Sequence, residues 1–324
     1  MSVLLFADTT PEGKIKKNVL EAVCYGVAAA ALMKTEAVAV AAGNASADAL
    51  SALGRYGVKK VWQAEGEAFE RFDGDVYTKA LLAAAAKEDA ELLVLPHNFH
   101  GRALAPLAAA RLRAGLVSGA VALPLLEDGF VVKKGVFSGK AFAFVRIDSP
   151  KKVITVSPNA FPVKEAGEDT AAVMPLEVPV KAEDIRVRVT SAEQLSGAVP
   201  LTDASVIVSG GRGLKGPENW PLLEELAAAL GAGLACSRPV AEAGWRPHHE
   251  HVGQTGLTVR PDLYMAVGIS GAIQHLAGVN GSKCIVAINK DPDAPFFKAA
   301  DYGIAGDAFE VLPRLTEAVK KYKS

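Results

Sequence analysis

Apolar and polar positions alternate along the first third of the chain between short continuous runs and longer segments with helical spacing. Residues 3–7 form an apolar run that closes on a loop beginning at Asp8, the pattern of a buried strand. Lys17–Leu32 has helical spacing, and residues 37–42 read as strand. Ser46 is placed to cap a helix running on to Tyr56, with Asp48 in its first turn. Residues 58–63 predict a strand, 75–87 a helix, 92–96 a fully buried strand and 101–112 a further helix. Such alternation predicts an α/β fold with a parallel sheet covered on both faces.

After Gly119 the pattern changes. Residues 120–124, 130–134, Ala141–Ile147 and Lys152–Val156 read as strands with no helix between them, and Asp128-Gly129 is a hairpin turn signal. They predict an antiparallel extension of the first sheet. Residues 165–179 are acidic and weakly patterned, hence expected to be exposed, whereas 185–189 alternate as a half-buried strand would. The small and polar stretch 191–200 is the candidate linker, which divides the chain into an N-terminal domain, 1–193, and a C-terminal domain, 194–324.

A second alternation then begins. Strands are expected at 205–209, 234–236, Leu263–Val267, 284–288 and Tyr302–Ala305. Pro221 takes the first-turn position of a helix that stops at Gly231. This predicts a doubly wound parallel sheet, in which ligands sit beyond the carboxyl ends of the strands. Those ends are the loops at Gly210–Arg212, Ser237–Arg238, Gly268–Ser270, Asn289 and Asp307.

Composition narrows the class. A length of 324 residues favours two domains, and a hydrophobic content of 50% allows a sizeable core. A net charge of −1 argues against nucleic acid as partner, because phosphate backbones need a basic footprint. Cys24, Cys236 and Cys284 lie far apart without CxxC spacing, so neither a disulfide framework nor a structural zinc site is expected, and a reducing, cytoplasmic setting fits. Residues 1–7 are too short for a signal h-region, and the most apolar long stretch, 23–40, contains Lys34 and Glu36.

The candidate chemistry centres on residues 252–276. A loop carrying the polar donors Gln254 and Thr255 after Val252 and Gly253 precedes a strand, a glycine turn (Gly268, Ser270, Gly271) and a helix start at Ala272 and Ile273. Unpaired N–H groups at a helix start attract phosphate, and glycines allow its close approach. Gln274 and His275 can hydrogen-bond a heteroaromatic ring, although a histidine there is often solvent-facing. Arg212, flanked by glycines, suits a pyrophosphate or is a solvated loop arginine; the loop is not GxGxxG. Arg238, beside Ser237, is open between ligand contact and ion pair. Asp307 with Glu310 has a capping-box pattern and could also accept from a ribose hydroxyl.

His248, His249 and His251 with Glu250 lack HExxH spacing and read as a surface loop, not a metal site. Asp8, His97 and His100 follow strand ends in the first domain and have only the edge rule to recommend them. No nucleophile–base pairing or pair of catalytic carboxylates stands out, so the site reads as one that holds a cofactor.

These residues carry a resemblance. The chain resembles the alpha subunit of electron transfer flavoproteins through Ser209-Gly-Gly-Arg-Gly-Leu-Lys215, Cys236-Ser-Arg238, Ala243-Gly-Trp245, Val252-Gly-Gln-Thr-Gly256, Pro261-Asp-Leu-Tyr264 and Val267-Gly-Ile-Ser-Gly-Ala-Ile-Gln-His-Leu276. The match continues through Ile288-Asn-Lys-Asp-Pro292 to Ala300-Asp-Tyr-Gly303, and more loosely through Leu104-Ala-Pro106, Gly115-Leu-Val-Ser118 and residues 153–162.

The resemblance implies one FAD in the C-terminal domain and a beta-subunit partner, which in some members holds AMP and in others a second FAD. It further implies electron donors among the dehydrogenases and a membrane-associated quinone reductase or other acceptor. It places Arg212, Ser237, Gln254, Thr255, Ser270, Gln274, His275, Asn289 and Asp307 around the FAD. Arg238 and His275 would lie near the isoalloxazine and Thr255 near its N5, with the Ser270 turn at the pyrophosphate. Arg238 would stabilise negative charge on the reduced ring, and His275 would add a hydrogen bond or a proton.

Two stretches depart from the family's pattern. His248-His249-Glu250-His251 stands where the family carries an Asn-Asp pair and a Gln, and Pro217 interrupts a loop that usually contains Ser or Asn. Both adjoin the flavin motif, so cofactor exposure or redox tuning can differ. Alternative readings are a subunit of a flavin-based electron-bifurcating complex, an NAD-dependent deacetylase-like enzyme, and a non-redox nucleotide-binding scaffold.

Overall fold

A computed structural model describes residues 2–137, 139–187, 189–191 and 200–323. The chain divides into two compact units. The expected linker and domain boundary fall largely on 192–199, outside the described residues.

The first unit runs β1 (Ser2–Phe6), α1 (Lys17–Leu32), β2 (Glu36–Ala42), α2 (Ala47–Ser51), β3 (Lys60–Ala64), α3 (Gly74–Lys87), β4 (Ala90–Pro96), α4 (Phe99–Leu112), β5 (Gly115–Ala120), β6 (Phe130–Val136), β7 (Ala141–Ile147), β8 (Lys152–Val156) and β9 (Ala172–Pro175). The strands form one sheet in the order β7-β6-β5-β8-β4-β1-β2-β3-β9. Because side chains alternate across a strand, β1 sends Val3 and Leu5 to a core with Val23 and Tyr25 of α1. Leu4 and Phe6 go to the opposite core, with Leu81 of α3 and Leu104 of α4. The expected Ser46 cap is present, its Oγ accepting from Ala49 N at 3.2 Å, and Asp73 caps α3, its Oδ1 accepting from Asp75 N at 2.9 Å.

Four expectations change. β8 is not part of an antiparallel extension but pairs in parallel with both β4 and β5, where its fully buried Val153 and Ile154 gain cover on both faces. Only β6 and β7 extend the sheet beyond β5, with β6 antiparallel to it. The strand expected at 120–124 lies earlier, because Gly115, Ser118 and Gly119 dilute the apolar signal of a segment that is paired nonetheless. Within 165–179, β9 pairs with β3 and Ala171 and Leu176 are buried. The described part of 185–189 is not a strand, and Ile185, Val187 and Val189 are exposed.

The second unit runs β10 (Val206–Gly210), α5 (Pro221–Leu230), β11 (Gly233–Cys236), α6 (Arg238–Glu242), β12 (Leu263–Val267), α7 (Ile273–Val279), β13 (Cys284–Asn289), β14 (Tyr302–Ala305) and α8 (Ala308–Lys323). Its five strands are all parallel, in the order β11-β10-β12-β13-β14. Leu223, Leu226, Val240 and Leu312 fill one face and Ile207, Tyr264, Val279 and Phe296 the other. The direction of winding reverses between β10 and β12, which opens a crevice at their carboxyl ends. Among the described residues no helix is long and apolar enough to cross a membrane.

Candidate functional site

The loops leaving β10 and β12 are locked together by backbone. Gly211 N donates to Val267 O (2.9 Å) and Gly213 N to Gly268 O (3.0 Å). A Cβ on Gly211 would stand 2.2 Å from Gly268 O, and one on Gly268, whose φ is +62°, would stand 2.8 Å from Gly213 Cα. Glycine is required here so that one loop can lie on the other. The close approach expected between Gly268 and a phosphate is taken by Gly213. Gly271 is likewise packed, since its Cβ would meet Phe296 N at 2.4 Å.

Beyond these loops lies a cavity of about 460 Å³. One wall is the 252–256 loop, fixed at two points. Val252 N donates to Cys236 O (3.1 Å), and Gln254 N donates to Gln274 O (2.7 Å) at the start of α7. A Cβ on Gly278 would lie 2.5 Å from Gly253 Cα, so α7 also rests directly on this loop. The opposite wall comes from the loop after β13. Asn289 spans it, donating from Nδ2 to Ile269 O (3.0 Å) and accepting at Oδ1 from Asp291 N (3.0 Å).

The chain matches two family models, the second of which spans most of these loops. Residues 3–183 match the electron transfer flavoprotein domain, and residues 200–280 match the electron transfer flavoprotein FAD-binding domain. The electron transfer flavoprotein subunit alpha of Bacillus subtilis (strain 168) is 38% identical, over 96% of this chain and 95% of its own length. That of Thermoanaerobacterium thermosaccharolyticum is 40% identical over 86% of this chain and 85% of its own. Protein FixB of Escherichia coli O81 (strain ED1a) is 40% identical over 85% and 88%. The chain belongs to the electron transfer flavoprotein alpha-subunit family.

The cavity of this electron transfer flavoprotein alpha-subunit relative brings together most of the sequence candidates. Arg212, Ser237, Arg238, Val252, Gly253, Gln254, Thr255, Gly268, Ser270, Ala272, Gln274, His275 and Asn289 line it. Gly271, Ile273 and Asp307 do not. Gly271 is held against Phe296, Ile273 points its side chain to solvent, and Asp307 caps α8 by accepting from Phe309 N at 3.0 Å.

Arg238 and His275 both have side-chain partners, the ion pair being one of the two readings left open for Arg238. Arg238 donates from Nε to Glu242 Oε1 (2.7 Å), both side chains being more than half exposed, so its charge is already partnered in solvent. No comparable pair engages Arg212 among the described residues. His275 is buried, with Nε2 2.8 Å from the Tyr264 hydroxyl and its ring edge-on to Phe296. Burial, aided by the nearby His251, lowers its pKa from 6.5 to about 4. It is therefore not solvent-facing, and burial keeps its imidazole neutral near neutrality.

Sequence reasoning missed His251, Ile269, Asp291 and Ala294, all of which line the cavity. His251 was expected in a surface loop with His248, His249 and Glu250. Only His248 and His249 are exposed. Glu250 accepts from Arg246 at 2.7 and 2.6 Å, and Arg246 also reaches Glu224 of α5 at 3.1 Å while lying 5.5 Å from the centroid of the Trp220 ring. This clamp turns the chain so that His251 forms a bridge beside Cys236 and enters the wall. Glu250 four residues after Arg246 was the available signal.

In the first unit, Asp8 accepts from Asn98 Nδ2 (2.7 Å) and lies 2.8 Å from His100 Nδ1, while His100 stacks on Phe72 at 4.0 Å. His97 instead bonds Thr155 Oγ1 at 2.7 Å, which also accepts from Gly119 N. These three candidates thus tie β1, β5, β8 and the start of α4 together.

Proposed function

We propose that the chain binds one FAD in the cavity of its C-terminal unit. Paired with a beta subunit, it would carry electrons from dehydrogenases to a membrane-associated quinone reductase or another acceptor. The observation that carries this reading is the glycine-locked cavity at the β10/β12 switch point, most of whose lining lies in the stretch that matches the FAD-binding domain model.

The lining suits such a ligand. Its volume falls within the range of about 300–1,000 Å³ usual for small-molecule sites. Arg212 offers an unpaired guanidinium to an anionic pyrophosphate. The N–H groups of Ile273 and Gln274, in the first turn of α7, have no acceptor within the helix. Gln254 and Thr255 offer donors and acceptors to ring edges, while Val252, Ile269 and Ala294 exclude water. Bound FAD supplies reversible uptake and release of electrons, a chemistry no side chain here provides. The neutral His275 offers that ring hydrogen bonding only, and Arg238 offers a charge moderated by Glu242.

The test is the flavin content of this chain co-expressed with its beta subunit. One FAD per heterodimer is expected. Two would favour the electron-bifurcating alternative, and none would refute FAD binding.

A further inference from the structure

His251 stands apart from the other groups of the cavity. It lies in the wall, is only 6% exposed, and neither ring nitrogen makes a hydrogen bond among the described residues. Its ring sits inside the 252–256 loop: a Cβ on Gly256 would approach Nδ1 to 2.8 Å, and one on Gly253 would approach Nε2 to 3.5 Å. This loop carries Gln254 and Thr255 into the cavity, so a change in the charge of His251 acts directly beneath them.

Its electrostatic surroundings come from four elements. α6 contributes Arg238 and Glu242, the turn before His251 contributes His248, and α7 contributes His275. β11 contributes Cys236, whose thiol is pushed up to about 12 by burial and stays uncharged. Burial, then His248 and Arg238, hold the imidazole below its usual range, opposed by Glu242. The result is a neutral base with an open lone pair, beside a cavity that gains negative charge whenever an electron arrives.

We propose that His251 is the proton-accepting group of the cavity wall, binding one proton from solvent when an electron from a redox partner reaches the cofactor beside it. The inference rests on FAD occupying this cavity. The electron adds one negative charge, and the new N–H bond on the imidazole adds one positive charge, so the net charge of the site is conserved. His275 is unsuited to this step, since its Nε2 is engaged by Tyr264.

The test uses the FAD-loaded heterodimer with its histidines isotopically labelled. Only six histidines are present in this chain, and His251→Gln assigns the relevant resonance. The titration midpoint of His251, followed by NMR, is expected to rise by at least one pH unit on reduction with dithionite, a tenfold or greater gain in proton affinity. Between the two midpoints, the His251→Gln protein should lose a proton-linked slope of tenfold per pH unit, about 59 mV for a one-electron couple. A midpoint that is the same in both oxidation states, or an unchanged slope in the variant, would overturn the proposal. A preparation without flavin would overturn the FAD reading and this inference together, whereas bound flavin with an invariant His251 titration would overturn only the inference.

Discussion

Replacing His275 with Gln should flatten the acid dependence of stability in the C-terminal unit. His275 has a folded-state pKa of about 4 against an ordinary 6.5, because its ring is packed between Tyr264 and Phe296 and away from water. Since the folded pKa is the lower one, protons bind the unfolded chain more readily. The contribution is therefore fully present above 6.5 and is lost as pH falls toward 4. The difference in pKa, at about 1.4 kcal/mol per unit, makes this loss roughly 3 kcal/mol in total. Glutamine does not titrate and can still bond the Tyr264 hydroxyl. Urea unfolding would be followed through Trp220 and Trp245 in a Trp62→Phe background, so that emission reports only the second unit. At pH 7.5 the variant should be the less stable protein, through poorer packing. By pH 4.5 the gap should have moved in the variant's favour by about 2.5 kcal/mol, carboxylate effects cancelling between the two proteins. A gap independent of pH would refute the assignment of a neutral, buried His275.

Two further outcomes follow from the glycine lock and the last cap. Gly268→Ala should cost about 2 kcal/mol or more, combining a left-handed residue with a contact onto the Gly213 backbone, whereas Gly231→Ala, with φ +68° and open space around it, should cost only about 1 kcal/mol; equal melting shifts in calorimetry would refute the steric part. Asp307→Ala should cost about 1 kcal/mol in denaturant unfolding through loss of the α8 cap, with FAD affinity unchanged by equilibrium titration, and a marked loss of affinity would restore the ribose role.

The strands and helices that follow simple periodicity were legible in the sequence. Lys17–Leu32, Pro221–Leu230, Leu263–Val267 and Tyr302–Ala305 have the expected limits, because each is bounded by loop residues, Gly or Pro. The placement of β8 was not legible, since an apolar run reads the same whether its neighbours are parallel or antiparallel. β9 was hidden by its composition: an edge strand satisfies only one side of its backbone and tolerates exposed polar positions. At the site, residue types and order pointed to the loops that line the cavity. Side-chain environment was the part that escaped. Arg238–Glu242 and Arg246–Glu250 are each four residues apart and so visible as pairs, but that Arg246 also reaches Glu224 and that His251 turns inward follow only from the three-dimensional path of the chain.

With FAD bound in this cavity, as proposed, the joint between Gly211, Gly213 and Gly268 would have a consequence for the speed of electron movement. A side chain that swings when charge changes must be dragged along with every electron, and that motion adds to the barrier. Here the floor beneath the cavity is main chain laid on main chain, pinned by hydrogen bonds of 2.9 and 3.0 Å, with no rotamer to change. Its dipoles are already oriented before charge arrives, so little reorganisation is required at the moment of transfer.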